Sequence, residues 1–415
     1  MRAALFIAGM VLCLLPAIIL ASTRAGRILT YGQPPVNMNY FGPCILHEPG
    51  WDRYLMYYSI NSSILNGKPS NVTVGDPGTY NPVCQTYWAD RIWLSWHFGD
   101  GKSPTGWDTS DNSGNTTPKL MLTIGGPGES ALIGDPTVVY WQNKWHMYYE
   151  GTDDCIGNND RIFHADANNW FGPWQKRGEV KGLMGGLGGS ALSWPSTLVE
   201  NGHLYLYFND GCVRIRAAEA IDPNGHVFEM KNYNSGAPNV RDNGCGYDNP
   251  KAISSELIPE AQVVSWGSGY AMIYSYDRFN GGDIRIAFSN DKFNFPVGKK
   301  LLVKRDSTPQ WENFSVNLLG YLRDEASGEH RIYYTGTIPT FQRGSIGVYY
   351  WPINYNCNDA DAFIDHVINF KDFAVLGSNW LIEGWPNPNS DITGNGIVDM
   401  SDLEVQALWW LNNCP

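Results

Sequence analysis

Apolar and polar residues alternate along most of this chain in short runs, and one run–turn–run unit returns five times. The copies read GPCILHEPGWDRYLMYYS from Gly42, DPTVVYWQNKWHMYYEG from Asp135, WPSTLVENGHLYLYFND from Trp194, EAQVVSWGSGYAMIYSY from Glu260 and SVNLLGYLRDEASGEHRIYYTG from Ser315. Each is an apolar stretch, a tight polar turn and a second stretch ending in aromatics and a small or acidic residue, which predicts a β-hairpin with period-two patterning. A third run follows each hairpin: DRIWLSW, DRIFHADA, VRIRAAEA, DIRIAFSND and SIGVYYW. After the first unit the copies start about 50 to 75 residues apart, the spacing of propeller blades. The pattern therefore predicts an all-β, five-bladed β-propeller. Asn61 to Tyr87 is an insertion inside the first unit, and RILTY at Arg27–Tyr31 is a candidate outer strand closing the last blade. A β-sandwich would leave the fivefold repetition unexplained.

The pattern changes at both ends. Arg2 followed by the uncharged apolar stretch Ala3–Leu20, with Ala21 or Ala25 as a cleavage point, predicts a signal peptide over 1–25, and no later segment is apolar enough to span a membrane. The expected location is secreted or cell-surface. The propeller then occupies 26–355. From 356 to 415 aromatic strands give way to two acidic loops, each followed by an amphipathic helix, with Trp385–Asn389 between them.

The second acidic loop, DITGNGIVDMSD, places side-chain oxygens at positions one, three, five, nine and twelve: Asp391, Thr393, Asn395, Asp399 and Asp402. Gly396 stands at the sharp turn and Ile397 can offer its backbone carbonyl, so the loop suits calcium. In the first loop Asp361, Asp365, Asn369 and Asp372 keep four positions, but Phe363 and His366 replace a ligand and the glycine. The pair resembles dockerin repeats over about the last 60 residues. That resemblance implies an attachment module whose partner is a cohesin or a cell-surface component, with structural calcium as the cofactor.

Charge and composition narrow the partner. A net charge of -12 argues against a nucleic-acid backbone as partner, which needs clustered Lys and Arg. Aromatics make up 13% of the chain and charged residues only 17%, which fills sheet interfaces and also offers flat rings to sugars. Without Cys13 in the leader, seven cysteines remain, so at least one is a free thiol or bonds another chain.

In a propeller the start of each innermost strand faces a central funnel. The residues there are Gly42, Asp135, Trp194, Glu260 and Ser315, and the ends of the second strands add Glu150, Asp153, Asp154, Asp210 and Asp277. Converging carboxyls beside aromatics suit glycoside hydrolysis, which needs one acid and one carboxylate. The blade pattern of IGDPTVVYWQNKWHMYYEG and IRIAFSNDKFNF resembles the five-bladed propeller glycosidases, including glycoside hydrolase families 43 and 32 and related phosphorylases. That resemblance implies that Asp135 orients and tunes a catalytic acid. It also implies an Asp base opening the first blade and a Glu acid opening the third, where this chain has Gly42 and Trp194. Asp135 and Glu260 are accordingly the expected catalytic pair. Trp194, Glu150, Asp153, Asp154, Asp210 and Asp277 are the expected substrate-binding residues, for a polysaccharide or oligosaccharide. The alternative is a non-catalytic glycan-binding propeller tethered by the dockerin-like module.

Overall fold

The computed structural model describes residues 23–29, 38–48, 53–62, 91–103, 107–108, 119–154, 159–183, 191–210, 215–231, 260–266, 269–276, 282–289, 291–295, 300–303, 314–324, 329–337 and 345–351, with 374 and 377. Arg24–Asp324 and Arg331–Tyr349 form one compact unit. Met1–Thr23, Glu325–His330 and Tyr350–Pro415 form a second, of which few residues are described. Residues 1–22 of the expected leader, the 63–87 part of the insertion, Asp277, both acidic loops, Cys357 and Cys414 lie outside the described residues. Among the described residues no helix is long and apolar enough to cross a membrane.

The first unit is a five-bladed all-β propeller. After β1 (Thr23–Leu29), blade I is β2 (Met38–Glu48), β3 (Arg53–Ser62) and β4 (Arg91–Phe98), with β5 (Trp107–Asp108) and β6 (Lys119–Leu122) both on the outer edge of β4. Blade II runs β7 (Leu132–Trp141), β8 (Lys144–Thr152), β9 (Arg161–Ala167) and β10 (Gln175–Glu179) from the axis outward. Blade III is β11 (Ser193–Glu200), β12 (His203–Asn209), β13 (Ile215–Ala220) and β14 (Phe228–Lys231). Blade IV is β15 (Glu260–Trp266), β16 (Gly269–Tyr276), β17 (Asp283–Ser289) and β18 (Lys300–Val303). Blade V is β19 (Ser315–Arg323), β20 (His330–Thr337) and β21 (Ser345–Trp351), and β1 adds its fourth strand. The N-terminal strand thus closes the ring and covers an edge that would otherwise be unpaired. It does so with Thr23–Leu29, upstream of the expected Arg27–Tyr31.

The second strand of each hairpin departs from the expected apolar–polar alternation. Tyr54, Leu55, Met56, Tyr57 and Tyr58 on β3 are all buried, and so is β12 from Leu204 to Asn209. Period two persists, but both faces are apolar because every blade is covered on both sides. Tyr54, Met56 and Tyr58 pack with Tyr333 and Val348 of blade V, whereas Leu55 and Tyr57 pack with Ile133, Met147 and Tyr149 of blade II. Likewise Leu204, Leu206 and Phe208 face Tyr148 and Ile162 of blade II, and Tyr205 and Tyr207 face Val263 and Tyr274 of blade IV. At about 1.5–3 kcal/mol for each large apolar side chain fully buried, these seams are the main favourable contribution to the ring. One of the seven cysteines, Cys44, is a free thiol in the seam between blades I and II, where the Val138 N–H donates to its Sγ at 3.2 Å.

Candidate functional site

Three innermost strands carry, near their start, a residue followed by proline: Gly42-Pro43, Asp135-Pro136 and Trp194-Pro195. Proline cannot donate to a ladder, and at each of these points the ladder bulges. Phe41 pairs with Ser59 and the next partners are Cys44 and Tyr57. Gly134 pairs with Glu150 before Thr137 meets Tyr148, and Ser193 pairs with Asn209 before Ser196 meets Tyr207. The bulged residue is left-handed in all three blades, with φ of 60° at Gly42, 47° at Asp135 and 50° at Trp194. That conformation strains a residue with a Cβ and re-aims its side chain.

The bulge also turns each N–H toward the preceding blade. Gly42 donates to Thr335 Oγ1 of blade V (3.3 Å), Asp135 to Ser59 Oγ of blade I (2.8 Å), and Trp194 to Glu150 Oε2 of blade II (3.3 Å). A repeated inter-blade clasp therefore fixes the open ends of the first three blades. Gly42 and Asp135 are so close that a Cβ on Gly42 would fall inside contact distance of Asp135 Oδ1. The glycine is what leaves room for this carboxyl.

Glu150 and Asp160 complete a cluster of acids around Asp135. Glu150, near the end of β8, is partly accessible, and Asp160, just before β9, is buried. The two carboxyls share a hydrogen bond. Burial, and then the charges of Asp160 and Asp135, push Glu150 well above the usual carboxylate range, while the Trp194 N–H opposes that shift. Burial also raises Asp160; its hydrogen bond with Glu150 opposes this and the charge of Asp154 adds to it. Two adjoining acids in a dry setting cannot both ionise readily, so the pair retains a proton near neutral pH.

The other sequence-predicted residues are placed differently. Glu260 opens β15, where the ladder runs unbroken from Glu260–Ser275 to Trp266–Gly269. Among its described residues blade IV has no such bulge, and Glu260 holds the register place of Gly134 rather than that of Asp135. It is 3% exposed and accepts a hydrogen bond from Ser275 Oγ at 2.9 Å. Ser315 is buried against Thr337 Oγ1. Asp210 is buried and accepts from Arg216 Nε at 2.7 Å, an ion pair inside blade III. Asp153 is exposed and accepts from the N–H groups of Gly128 and Ser130 and from Ser130 Oγ, which lowers its pKa. Its role is to hold the turn before β7. Asp154 is half-buried and adds negative charge beside Asp160.

Asp160 was not among the sequence candidates. The chain offers only a faint signal for it, since DRI also opens the third strand of blade I, and an Asp before a strand reads as a turn residue. A buried histidine group also emerges only in three dimensions. His146 and His164 are fully buried between blades II and III, with His226 stacked on His164.

No protein-family model matches this chain, and no curated protein matches it in sequence. Its fold does match solved structures. One is a glycoside hydrolase at TM-score 0.52 and 12% identity, covering 79% of this chain and 92% of that one. A second is BT0996 in an RGII complex, at TM-score 0.51 and 12% identity, over 80% and 92%. A third is CoXyl43, a family 43 β-xylosidase/α-arabinofuranosidase from a compost microbial metagenome in complex with xylotriose, at TM-score 0.50 and 13% identity, over 79% and 94%. At this level of identity the likeness is one of fold, and it extends over nearly the whole of each neighbour: the chain shares its five-bladed propeller with glycoside hydrolases.

Proposed function

We propose that the chain is a secreted glycoside hydrolase that cleaves a polysaccharide or oligosaccharide in the propeller funnel. The observation that carries this reading is the acid cluster of Asp135, Glu150 and Asp160 at the open end of blade II. Hydrolysis of a glycosidic bond needs a carboxyl that still carries its proton near neutral pH, and this cluster supplies one. The glycoside hydrolases among the fold neighbours, one of them holding xylotriose, support a carbohydrate substrate. Trp194, partly accessible beside Glu150, offers a ring to a sugar face. Glu260 remains the sequence-derived partner for Asp135, and its near-complete burial argues for a smaller share in the chemistry.

The leader and the C-terminal module belong to the same proposal. Cleavage after Ala21 leaves β1 whole, whereas cleavage after Ala25 removes Thr23, Arg24 and Ala25 from it. Residues 356–415 act as a calcium-loaded dockerin-like module that attaches the propeller to a cohesin or a cell-surface component, with Asp391, Thr393, Asn395, Ile397, Asp399 and Asp402 as the calcium loop.

A second reading, a non-catalytic glycan-binding propeller, is favoured by one observation. Gly42 and Trp194 stand where the resembling families carry their base and acid. Reducing-end release from a panel of plant and algal polysaccharides separates the two. Release by the wild-type chain that Asp135→Asn abolishes supports hydrolysis, whereas retention on a polysaccharide without release supports binding alone.

A further inference from the structure

Glu150 occupies a place that other blades fill with neutral groups. By register, the residue opposite the one before the bulge is Ser59 in blade I, Glu150 in blade II and Asn209 in blade III, and its counterpart in blade IV is Ser275. The inter-blade clasp needs only an acceptor oxygen there. Ser59 supplies it to Asp135 and Thr335 to Gly42 as hydroxyls. An acid is therefore not required for the architecture, and burying one is unfavourable unless it is neutralised. Ser59, Asn209 and Ser275 are also fully buried, while Glu150 is partly accessible. One carboxyl oxygen of Glu150 meets the Trp194 N–H, and the carboxyl also engages Asp160.

From this placement we infer that Glu150 is the proton donor to the leaving group, with Asp160 as the residue that keeps the proton on it. The inference rests on the hydrolase reading above. In the step, the bond between the anomeric carbon and the glycosidic oxygen breaks and its electron pair stays on that oxygen. The Glu150 O–H proton moves to the same oxygen. Water forms the new bond to the anomeric carbon from the opposite face of the ring and sheds its proton to solvent, and solvent returns a proton to Glu150. The donor that the resembling families place at the opening of the third blade is thus supplied by the second. Trp194, which replaces it, holds Glu150 through its backbone.

Glu150→Gln tests this in the full chain, because the amide keeps a carbonyl oxygen for the Trp194 N–H. Infrared difference spectra at pH 7 should contain a protonated-carboxyl band that Glu150→Gln removes. Hydrolysis of methyl glycosides should fall by about 10²–10⁴-fold in Glu150→Gln, the range of general acid catalysis. Cleavage of the matching 2,4-dinitrophenyl glycosides should be spared, since that leaving group departs without a proton. Asp160→Asn should move the basic limb of the kcat/KM profile to lower pH, because it removes the neighbouring charge that holds the proton on Glu150. Equal loss on both glycoside classes, no loss on either, or an unchanged carboxyl band overturns the assignment. Should the wild-type chain cleave no glycoside, the hydrolase reading fails with it. The carboxyl band then decides separately whether Glu150 carries a proton.

Discussion

The histidine seam between blades II and III gives this propeller a defined acid sensitivity. His146 Nε2 lies 3.1 Å from the Trp141 carbonyl, which can only accept, so the proton of His146 is on Nε2. Its Nδ1 must then accept from His164 Nε2–H at 3.0 Å, which leaves His164 Nδ1 buried without a hydrogen-bond partner. One carbonyl thus fixes two neutral rings. Burial first, then the proximity of His146 and His226, pushes His164 down to about 3, against the opposing charge of Asp166. Lys144, Arg177 and Lys181 add positive charge around the seam, and Asp222 adds negative charge. The folded pKa lies below the unfolded one, so the unfolded chain binds more protons between about pH 6.5 and 3. Stability is therefore full above about 6.5 and declines as the pH falls, by about 1.4 kcal/mol per unit. At about pH 4.5 the loss from His164 is about 2.7 kcal/mol. His164→Gln keeps a donor for His146 but titrates nothing. In urea unfolding, the stability advantage of wild type over this variant at about pH 7.5 should shrink by about 2.7 kcal/mol at about pH 4.5. The raised carboxyls of Glu150 and Asp160 shift stability in the opposite sense but are common to both chains and cancel. An advantage that stays constant across this range would refute the reasoning.

Four further outcomes test other parts of the account. Gly42→Ala should destabilise the fold by about 1–2 kcal/mol, because φ is 60° and the new Cβ meets Asp135, and it should lower hydrolysis by displacing that carboxyl. Thermal melts read the first effect and reducing-end assays the second. Asp210→Ala should lower the unfolding midpoint and leave the pH profile unchanged, because it removes the carboxylate that accepts from the buried Arg216 Nε. Calorimetric titration of the full chain should find calcium binding that Asp391→Ala with Asp399→Ala removes. Unreduced peptide mapping should find Cys357 joined to Cys414 across the module.

Much of the propeller was legible because each hairpin carries its own period-two pattern, and five copies reinforce one another. The short outer strands were not legible: QKRGE of β10 and FEMK of β14 have little apolar signal, since their outward side chains meet solvent. The burial of β3, β8 and β12 on both faces was hidden because a sequence does not say whether one face or two will be covered. At the site, Asp135-Pro136 announced a turn, but the inter-blade clasp depends on register between strands and not on spacing along one. Asp160 and Glu150 stand ten residues apart in sequence and meet only because β8 and β9 pair with Glu150 opposite Ile162. Glu260 looked equivalent to Asp135 because both open an innermost strand. The missing proline in blade IV, and with it the absence of a bulge among its described residues, makes their positions differ by one register step.

The measurement that bears most directly on the central claim is reducing-end release from a polysaccharide panel by the intact chain and by Asp135→Asn and Glu150→Gln. Hydrolysis by the wild type, lost by orders of magnitude in both variants while their unfolding transitions stay close to wild type, is the predicted result. Tight retention on a polysaccharide with no new reducing ends, unchanged by either substitution, would contradict it.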